Sequence, residues 1–544
     1  MARQSSAPRG RSKTPTPTPA PRERREKRET LKKRENASGS KATSTTLGKR
    51  KAQADEGPLV PQRFNVPPPR SADFDPPKNE SMEPVSIQVP DGVQQICKPM
   101  DLAENKKGYR YLRAIADPRF PYKQYYRGTS PPPHYSRLSY EDSDRAVCFT
   151  RDALTTTNDK GWRSVRANVC VREGTMYYEV KVHRGIPITG PVDDISTRSQ
   201  PHVRLGWARR EAPLDAPVAF DGYSYGVKDV RFETIHRSRP GQIFHPTGKT
   251  KQAKNTPNAI VELSPEDQHI KEGDIIGLEI QLPSLTLHQK IVSGVYNPAV
   301  DISDGFDAPR YPLESGAEAM DVVRDRIPVQ YKGNGYFEIL DYVPSKPVEV
   351  YASRLTQASP TPNPAQGAAS RELAKSLPNP NHETPALRTL PHSAIRVYKN
   401  GRLIGTAFEN LLAFLPPASL PSKTVGAREG LDDGMVGYFP AISTFFGGIV
   451  EMNFGDGPDG FWCPPEHIVS AAQRLPPADK VEWNPGRQPR AVGERFKEQI
   501  AEDIVWDIVD EVTFFTEDGG YGGEVGSGAL ASNGQKKKKV KDED

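Results

Sequence analysis

The chain has 544 residues, 54 prolines and a formal net charge of +5, and its mean hydropathy is −0.67. That length could hold roughly three or four average domains, but so much proline and polarity favours one large domain with polar flanks. No run approaches about 18 apolar residues, and the first residues lack the apolar segment of a signal peptide. We therefore expect neither a membrane span nor secretion.

The first 53 residues are strongly basic, with sixteen Lys or Arg against four Glu. They are also rich in Ser, Thr and Pro, so they cannot bury enough apolar surface to offset the entropy of ordering. We predict that residues 1–104, this arm and a Pro-rich linker, are disordered, as is the tail at 516–544. The arm and the basic run at 536–541 indicate nuclear import, and the arm also suits contact with nucleic-acid phosphates.

The four cysteines, Cys97, Cys148, Cys170 and Cys463, lie far apart and show no C-x-x-C spacing. They therefore do not form a zinc signature, and in a nuclear protein we expect them to be reduced. Cys170 lies between two valines in a strand-like run, so we interpret it as a small core residue.

Apolar alternation begins near residue 125 and predicts half-buried strands at 175–182 and 273–282. Between them, residues 202–207 form a strand with Val203, Leu205 and Trp207 on one face. Arg204 must then project from the opposite face, beside Gly206, whose missing side chain is expected to leave space around the guanidinium. A planar fork of donors on a rigid strand suits recognition of carboxylate or phosphate. The alternative is a solvated arginine on the outer face of a sheet.

The regular pattern breaks between about residues 284 and 391. This region is rich in Pro, Asn, Ser and Ala, and we interpret it as a long, mobile surface insertion with one strand at 336–340. A hairpin follows at 395–405, because Asn400-Gly401 is the preferred centre of a type I′ turn. Further strands are predicted at 437–443 and 450–455. Because no helices alternate with these strands, the expected fold class is all-β, an antiparallel β-sandwich.

The last predicted element is an amphipathic helix at 494–515. Apolar residues recur every four positions, at Phe496, Ile500, Ile504, Ile508 and Val512, and Val505 and Val509 widen the stripe. The other faces are acidic. A Pro-rich spacer at 476–485 separates the helix from the sandwich, so we expect the stripe to enter a groove on another protein. The alternative is that the helix packs back on the sandwich.

Recognisable catalytic motifs are missing from the sequence. It contains no nucleophile elbow, Walker loop, H-E-x-x-H helix or dinucleotide fingerprint. The glycine-rich run at 519–523 follows an acidic helix end rather than a strand, which makes it a poor phosphate cradle. We expect a protein that is not an enzyme and binds no cofactor or metal.

Several runs together resemble a SPRY domain: residues 160–167, 171–180, 204–207, 222–226, 398–401 and 439–443. More narrowly, residues 216–225 following Arg-Leu-Gly-Trp at 204–207 resemble the absent-small-homeotic or Bre family. Its members are SPRY subunits of COMPASS and MLL histone H3 lysine 4 methyltransferase complexes. The similarity covers about residues 105–515, apart from the insertion, with the sandwich itself expected at 105–475.

The resemblance implies a pocket for an acidic, phosphorylatable segment of the complex's WD-repeat subunit. The family's pocket arginine falls on Arg204, its proline on Pro217 and an aromatic wall on Trp162. A second aromatic falls on Phe220, which lacks a hydroxyl. A second arginine falls near Lys228, and because Lys offers a point charge rather than a fork, phosphate selectivity is expected to be weaker here.

The resemblance also implies that the C-terminal helix docks into a small Dpy-thirty-type dimer, with Ile504, Val505, Ile508 and Val509 filling its groove. The stretch at 105–111, including Lys106 and Arg110, and the cluster Lys49-Arg50-Lys51 resemble the part of animal relatives that contacts nucleosomal DNA. No Cys-rich finger precedes them here.

These observations predict a nuclear, non-catalytic subunit that supports the SET-domain catalytic subunit on chromatin. Two rival hypotheses remain open. The chain could be a generic SPRY adaptor, for instance in ubiquitin transfer, with no role for the helix. It could also be a DNA-binding transcriptional regulator in which the basic arm is primary.

Overall fold

The structure, a computed structural model, describes residues 68–74, 82–99, 111–122, 125–129, 132–186, 200–243, 245–246, 262–263, 267–307, 328–331, 334–338, 342–353, 377–421, 434–468, 486–516 and 519–522.

The strands up to the insertion are β1 (Met82–Pro84), β2 (Cys97–Pro99), β3 (Tyr111–Arg113), β4 (Ile115–Ala116), β5 (Tyr126–Arg127), β6 (Leu138–Ser143), β7 (Cys148–Phe149), β8 (Thr155–Thr157), β9 (Arg163–Ala167), β10 (Gly174–Arg184), β11 (His202–Ala208), β12 (Ser224–Lys228), β13 (Thr234–His236), β14 (Arg239–Gly241), β15 (His245–Pro246), β16 (Glu262–Leu263) and β17 (Ile275–Leu282). Those that follow are β18 (Pro328–Tyr331), β19 (Asn334–Glu338), β20 (Tyr342–Val343), β21 (Ala394–Lys399), β22 (Arg402–Glu409), β23 (Leu420–Pro421), β24 (Phe439–Phe445), β25 (Ile449–Asn453) and β26 (Pro489–Ala491). The α-helices are α1 (Leu285–Ser293), α2 (Lys346–Ser353) and α3 (Val492–Thr516), and none of these described helices is long and apolar enough to cross a lipid bilayer.

Two sheets form the body of the protein. The large sheet runs in the order β1-β2-β7-β8-β25-β10-β17-β21-β22, with β26 added in parallel to β10. The small sheet runs β14-β13-β12-β11-β24-β9-β6. Apart from β26, neighbouring strands in both sheets are antiparallel. The predicted all-β antiparallel sandwich is therefore confirmed.

The core lies between the two sheets and follows the period-two pattern of the strands. Val203, Leu205 and Trp207 of β11 are completely buried. Trp207 packs edge-on against Tyr178 of β10, with ring centroids 4.9 Å apart, and the Tyr178 hydroxyl donates a hydrogen bond to the carbonyl oxygen of Gly206. This contact joins the centres of the two sheets.

Two local predictions from the sequence hold in the structure. The hairpin β21–β22 turns at Asn400 and Gly401, whose φ angles of 50° and 79° are those of a type I′ turn. Asn400 also accepts a hydrogen bond from the Ile275 amide through its side-chain oxygen. Cys170 is fully buried, as expected of a core residue.

The expected disorder of residues 1–104 is wrong for residues 82–99. These residues supply β1 and β2, which extend one edge of the large sheet. Ile96 and Cys97 are buried there, and Cys97 pairs with Phe149 of β7. Only a few apolar residues anchor this segment, so its sequence lacks the alternation that would have marked it as strand.

The expected mobile insertion is also wrong for much of its length. Helix α1 buries Leu287, Ile291 and Val292 in the main core, and Val348 of α2 packs in a second apolar cluster outside the small sheet. The predicted strand at 336–340 is β19, which pairs with β3. In α1 the buried apolar residues Leu287, Ile291 and Val292 are spaced i, i+4 and i+5. So few positions in one short helix give too weak a periodic signal to be recognised among so many prolines.

Gly206 does not leave open space beside Arg204, contrary to the expectation from sequence. It pairs with Gly226 across β11 and β12, and a Cβ atom placed on it would overlap the carbonyl oxygen of Tyr225 and lie 2.7 Å from the Gly226 Cα. The missing side chain thus permits the close approach of two strands.

Gly206→Ala should destabilise the protein by about 1–3 kcal/mol or more, because backbone atoms cannot move aside for the new methyl group. Gly161→Ala is the matched control: nothing lies within 4 Å of its Cβ position, and we expect a change within about 0.5 kcal/mol. Urea unfolding followed by tryptophan fluorescence measures both. Equal stability of the two variants would contradict the close-approach role.

Candidate partner-binding surfaces

Arg204 projects from the outer face of the small sheet, as the alternation of β11 predicts. Its cross-strand neighbours are Lys228 of β12 on one side and Ser443 of β24 on the other. His202, two residues earlier, lies on the same face and pairs with Phe445. The arginine is therefore held on a central strand, where the backbone ladder on both sides fixes its position.

An aromatic wall lies against Arg204. The guanidinium carbon is 4.7 Å from the ring centroid of Trp162, which precedes β9. The indole in turn packs on Phe445 at 5.1 Å and stacks on His202 at 6.5 Å. Because Ser443 between them is small, the arginine side chain can reach across β24 to the tryptophan. This cation–π contact holds the guanidinium against the ring.

Arg204 has no carboxylate partner among the described residues. Its Nε atom is buried without a hydrogen-bond acceptor, and burial lowers the pKa of the guanidinium to about 10, partly opposed by the charge of Asp229. The group still carries its proton at neutral pH. Asp229 instead accepts hydrogen bonds from the backbone of Val203 and Val230 and contacts His202 Nδ1 at 3.0 Å. A half-buried cation lacking an acidic partner favours binding of an anion from outside.

The loop at 212–223 covers the neighbouring part of the same face. Val218 donates its backbone N–H to Ser443 Oγ, so Pro217 lies beside the strand that separates Arg204 from Trp162. Phe220 closes a turn on Pro217 through a 3.0 Å backbone hydrogen bond, and its side chain is 53% exposed. Trp162, Arg204, Pro217 and Phe220 thus share one outer face of the sheet and its covering loop.

Lys228 differs from Arg204 in having an internal partner. Its Nζ atom lies 2.9 Å from Glu233 Oε2, and both side chains are partly exposed. An anion bound at Arg204 would therefore have to compete with Glu233 for Lys228. Lys228 is thus the cross-strand neighbour of Arg204, and it already has an ion-pair partner in Glu233.

The first turns of α3 pack on the sandwich. Phe496 is only 4% exposed and belongs to the main core, and Ile500 packs against that core. Gln499 strengthens the attachment, because it accepts a hydrogen bond from Cys170 N–H and donates one to the Asn168 carbonyl. The inclusion of Phe496 and Ile500 in the docking face is therefore wrong for this structure. These two residues attach the helix.

Further along α3, the acidic face is the buried one. The Asp507 carboxylate accepts hydrogen bonds from the backbone N–H groups of Gly128 and Thr129 and from the Thr129 hydroxyl. One turn later, Glu511 accepts the Tyr122 N–H at 2.9 Å. We call this set of hydrogen bonds the carboxylate clamp. Sequence reasoning assigned these carboxylates only to the faces of the helix outside the apolar stripe. Their burial depends on backbone N–H donors of residues 122, 128 and 129, which are distant in sequence.

Aromatic packing reinforces the clamp at the end of the helix. Tyr122 stacks on Phe515 at 4.6 Å, and Tyr125 packs on Phe514 at 5.1 Å. Residues 122, 125, 128 and 129 therefore hold the C-terminal half of α3 through both polar and aromatic contacts. The sequence does give a signal for this contact, since Phe514 and Phe515 lie outside the four-residue periodicity of the stripe.

With its acidic face held inward, α3 turns most of its apolar stripe outward. Val505 is 58% exposed, Ile508 is 38%, and Val509 and Val512 are each 37%. Ile504 is half-buried. Helices on globular domains normally bury the apolar face and expose the charged one. An exposed row of branched aliphatic residues on a well-anchored helix is a candidate surface for a partner.

The residues expected to contact DNA, Lys49, Arg50, Lys51, Lys106 and Arg110, lie outside the described residues. The Pro-rich spacer expected at 476–485 also lies outside them.

No protein-family model matches the chain. It is, however, 43% identical over 541 residues to the COMPASS component cclA of Colletotrichum higginsianum, an alignment that covers 93% of this chain and 86% of that protein. This chain belongs to the COMPASS component cclA family. The expected membership of the absent-small-homeotic or Bre family is thereby confirmed.

A second relative is also named as a component of such a complex. The Set1 complex component ash2 of Schizosaccharomyces pombe is 32% identical over 477 residues, which cover 87% of this chain and 55% of that protein. Among solved structures, a human SPRY domain aligns with 56% of this chain and 92% of its own length, at 11% identity and a TM-score of 0.20.

Asp507→Asn should release the C-terminal half of α3, because an amide offers one oxygen where the carboxylate serves three donors. Hydrogen bonds to charged groups contribute about 1.5–3 kcal/mol, so amide hydrogen exchange at 125–129 and 505–516 should accelerate at least tenfold. Glu502→Gln, on the exposed side and paired with Arg495, should change exchange little. Unchanged protection in Asp507→Asn would show that the clamp does not hold the helix.

Proposed function

We propose that this chain is a non-catalytic subunit of a COMPASS-type histone H3 lysine 4 methyltransferase complex in the nucleus. It contributes binding surfaces that support the SET-domain catalytic subunit. The observation that carries the proposal is Arg204, a half-buried cation with no carboxylate partner among the described residues, held against Trp162 in a member of a family named as COMPASS components. A generic SPRY adaptor and a DNA-binding regulator are the alternatives.

The ligand proposed for Arg204 is an acidic segment of the WD-repeat subunit. The terminal nitrogens of a guanidinium bind a carboxylate or phosphate bidentately, and the Trp162 ring packs against this guanidinium. Pro217 and Phe220 line the same outer face and would contact the backbone or side chains of the segment. Because Lys228 is paired with Glu233, the pocket presents one strong cation, which suits a carboxylate as well as a phosphate.

The ligand proposed for α3 is the Dpy-thirty-type dimer. Its groove would bury the exposed apolar face formed by Val505, Ile508, Val509 and Val512, with Ile504 at its margin. The carboxylate clamp orients the helix before the partner arrives, so little ordering entropy is lost on binding. This preorganisation favours a helix-in-groove mode of recognition.

The basic arm is proposed to contact nucleosomal DNA through Lys49, Arg50 and Lys51, together with Lys106 and Arg110. Binding of phosphates by such a cluster releases counterions and is independent of base sequence. This contact would bring the complex to chromatin, while the sandwich and α3 hold the other subunits. The alternative of a primary DNA-binding regulator assigns no role to Arg204 or to the exposed face of α3.

Arg204→Ala should weaken binding of an acidic phosphopeptide from the WD-repeat subunit by about 1.5–3 kcal/mol, the range for hydrogen bonds to charged groups. Arg204 has no carboxylate partner among the described residues, and its contact with Trp162 contributes about 0.5–1 kcal/mol, so the melting temperature should fall by no more than a few degrees. Isothermal titration calorimetry measures the affinity, and differential scanning calorimetry measures the stability.

Two further variants separate charge from geometry at this site. Arg204→Lys keeps the charge but loses the bidentate fork, so it should recover only part of the affinity. Arg402→Ala removes an exposed arginine at the start of β22 and should leave the affinity unchanged. If Arg204→Ala binds as tightly as the unmodified chain, the pocket is not at Arg204.

The double substitution Val505→Glu with Val509→Glu should abolish capture of the Dpy-thirty-type dimer. Two charges would enter an apolar groove, and binding should weaken by at least tenfold, since burial of each aliphatic side chain contributes about 1.5–3 kcal/mol. Both sites are exposed, so the melting temperature should stay within a few degrees. Sedimentation of the purified full chain with the dimer measures complex formation.

Lys497→Glu makes the same change in net charge on an exposed position of α3 outside the apolar face, and should leave capture intact. A chain with both glutamates that still co-sediments with the dimer would rule out the helix as the docking site and favour the generic adaptor.

A further inference from the structure

Phe446 occupies a backbone conformation that phenylalanine rarely adopts. It lies in the turn between β24 and β25 with a φ of 43°, in the left-handed region, and its side chain is 45% exposed. For a bulky L-residue this conformation costs on the order of 1 kcal/mol or more, whereas glycine or asparagine adopts it readily. A strained, exposed aromatic side chain at a loop tip is a candidate for a role in binding.

Packing against the other described residues does not account for this phenylalanine. The turn itself is held by backbone hydrogen bonds, from Phe446 N–H to the Lys160 carbonyl and from Gly447 N–H to the Asn158 carbonyl. Any residue at position 446 could make the first of these. The side chain contacts the edge of Phe445, with centroids 4.4 Å apart, and nearly half of it remains in solvent.

Phe446 ends a continuous row of rings that starts at Arg204. Trp162 lies beside the guanidinium at 4.7 Å, Phe445 packs on Trp162 at 5.1 Å, and Phe446 packs on Phe445. We call Trp162, Phe445 and Phe446 the aromatic ridge. His202 lies beside the ridge, since its ring is 6.0 Å from that of Phe445 and 6.5 Å from that of Trp162, and its Nδ1 contacts Asp229.

We propose that the aromatic ridge binds an apolar side chain of the same acidic peptide that pairs with Arg204. The ligand class is then narrower than an acidic segment: an acidic residue followed or preceded, within about four positions, by an aromatic or large aliphatic residue. This inference rests on the proposed function of the Arg204 pocket. An extended peptide advances about 3.3 Å per residue. The ring-to-ring spacings of the ridge, 5.1 and 4.4 Å, therefore correspond to a few residues of an extended ligand.

An apolar side chain on the ridge would also strengthen the ion pair. Covering Trp162 and Phe445 removes water from the neighbourhood of the guanidinium, and a charge pair attracts more strongly where water is excluded. The ridge and Arg204 therefore act on the same ligand. Neither acidity alone nor hydrophobicity alone would give full affinity.

The test uses labelled acidic peptides that carry one phenylalanine at one to four positions from a central pair of glutamates, each matched to a peptide with alanine there. Fluorescence anisotropy with the full chain should show at least one phenylalanine peptide that binds about tenfold tighter than its alanine match, as expected for burial of one aromatic side chain. Phe446→Asn should remove most of that preference and leave the affinity for the alanine peptide unchanged.

Stability distinguishes a binding role from a structural one. Asparagine adopts the left-handed conformation readily, so the Phe446→Asn variant should melt at the same temperature as the unmodified chain or at a higher one. Phe446→Tyr should keep the peptide preference. Ile302→Asn, which replaces another apolar side chain that is 75% exposed, should change neither affinity nor preference.

Each remaining outcome decides against the proposal in a distinct way. If phenylalanine and alanine peptides bind equally and Arg204→Ala weakens both, the ridge proposal is wrong and the pocket stands. If no acidic peptide binds at all, the pocket and the ridge fall together. If the unmodified chain self-associates in sedimentation and Phe446→Asn abolishes this without altering peptide affinity, the ridge is a contact between copies of the chain.

Discussion

The burial of one face of β11 is the constraint on which the candidate pocket depends. Val203, Leu205 and Trp207 are fully buried between the sheets, so the side chains between them must face outward. A shift of one residue in register would bury Arg204 and expose Trp207, at a cost that no other contact could offset. The close Gly206–Gly226 pairing fixes the same register from the neighbouring strand. The position of the arginine is thus determined by core packing and not by any ligand.

The C-terminal helix is oriented by polar contacts instead. Its apolar stripe is wide enough to pack on the sandwich along its whole length, yet only Phe496 and Ile500 do so. Beyond them, the backbone N–H groups of residues 128 and 129 donate hydrogen bonds to Asp507, and that of residue 122 donates one to Glu511. The apolar stripe therefore faces outward. An unpaired buried donor costs more than an exposed valine does, so the polar contacts prevail over the apolar ones. The exposed face of α3 is therefore a property of the free chain.

Sequence reasoning was most successful where a residue's surroundings are fixed by its nearest neighbours along the chain. The alternation of β11, the Asn400-Gly401 turn and the existence of α3 follow from local pattern alone. What it missed depends on contacts distant in sequence: the role of Gly206 rests on β12, the burial of Asp507 on residues 128 and 129, and the strands at 82–99 on an edge of the large sheet. Phe446 was missed for a related reason, since its positive φ is set by the turn that β24 and β25 impose.

Strand β9 links the two candidate surfaces. Trp162, directly before it, forms the wall of the Arg204 pocket, while residues 168 and 170, just after it, receive Gln499 of α3. Five residues of β-strand span about 17 Å and sit within a paired sheet, so they transmit position without bending. The acidic peptide proposed for Arg204 and the dimer proposed for α3 would consequently be kept at a fixed separation and orientation. A non-catalytic subunit can support a catalytic partner in this way, because holding components in a defined geometry reduces the entropic cost of assembling them.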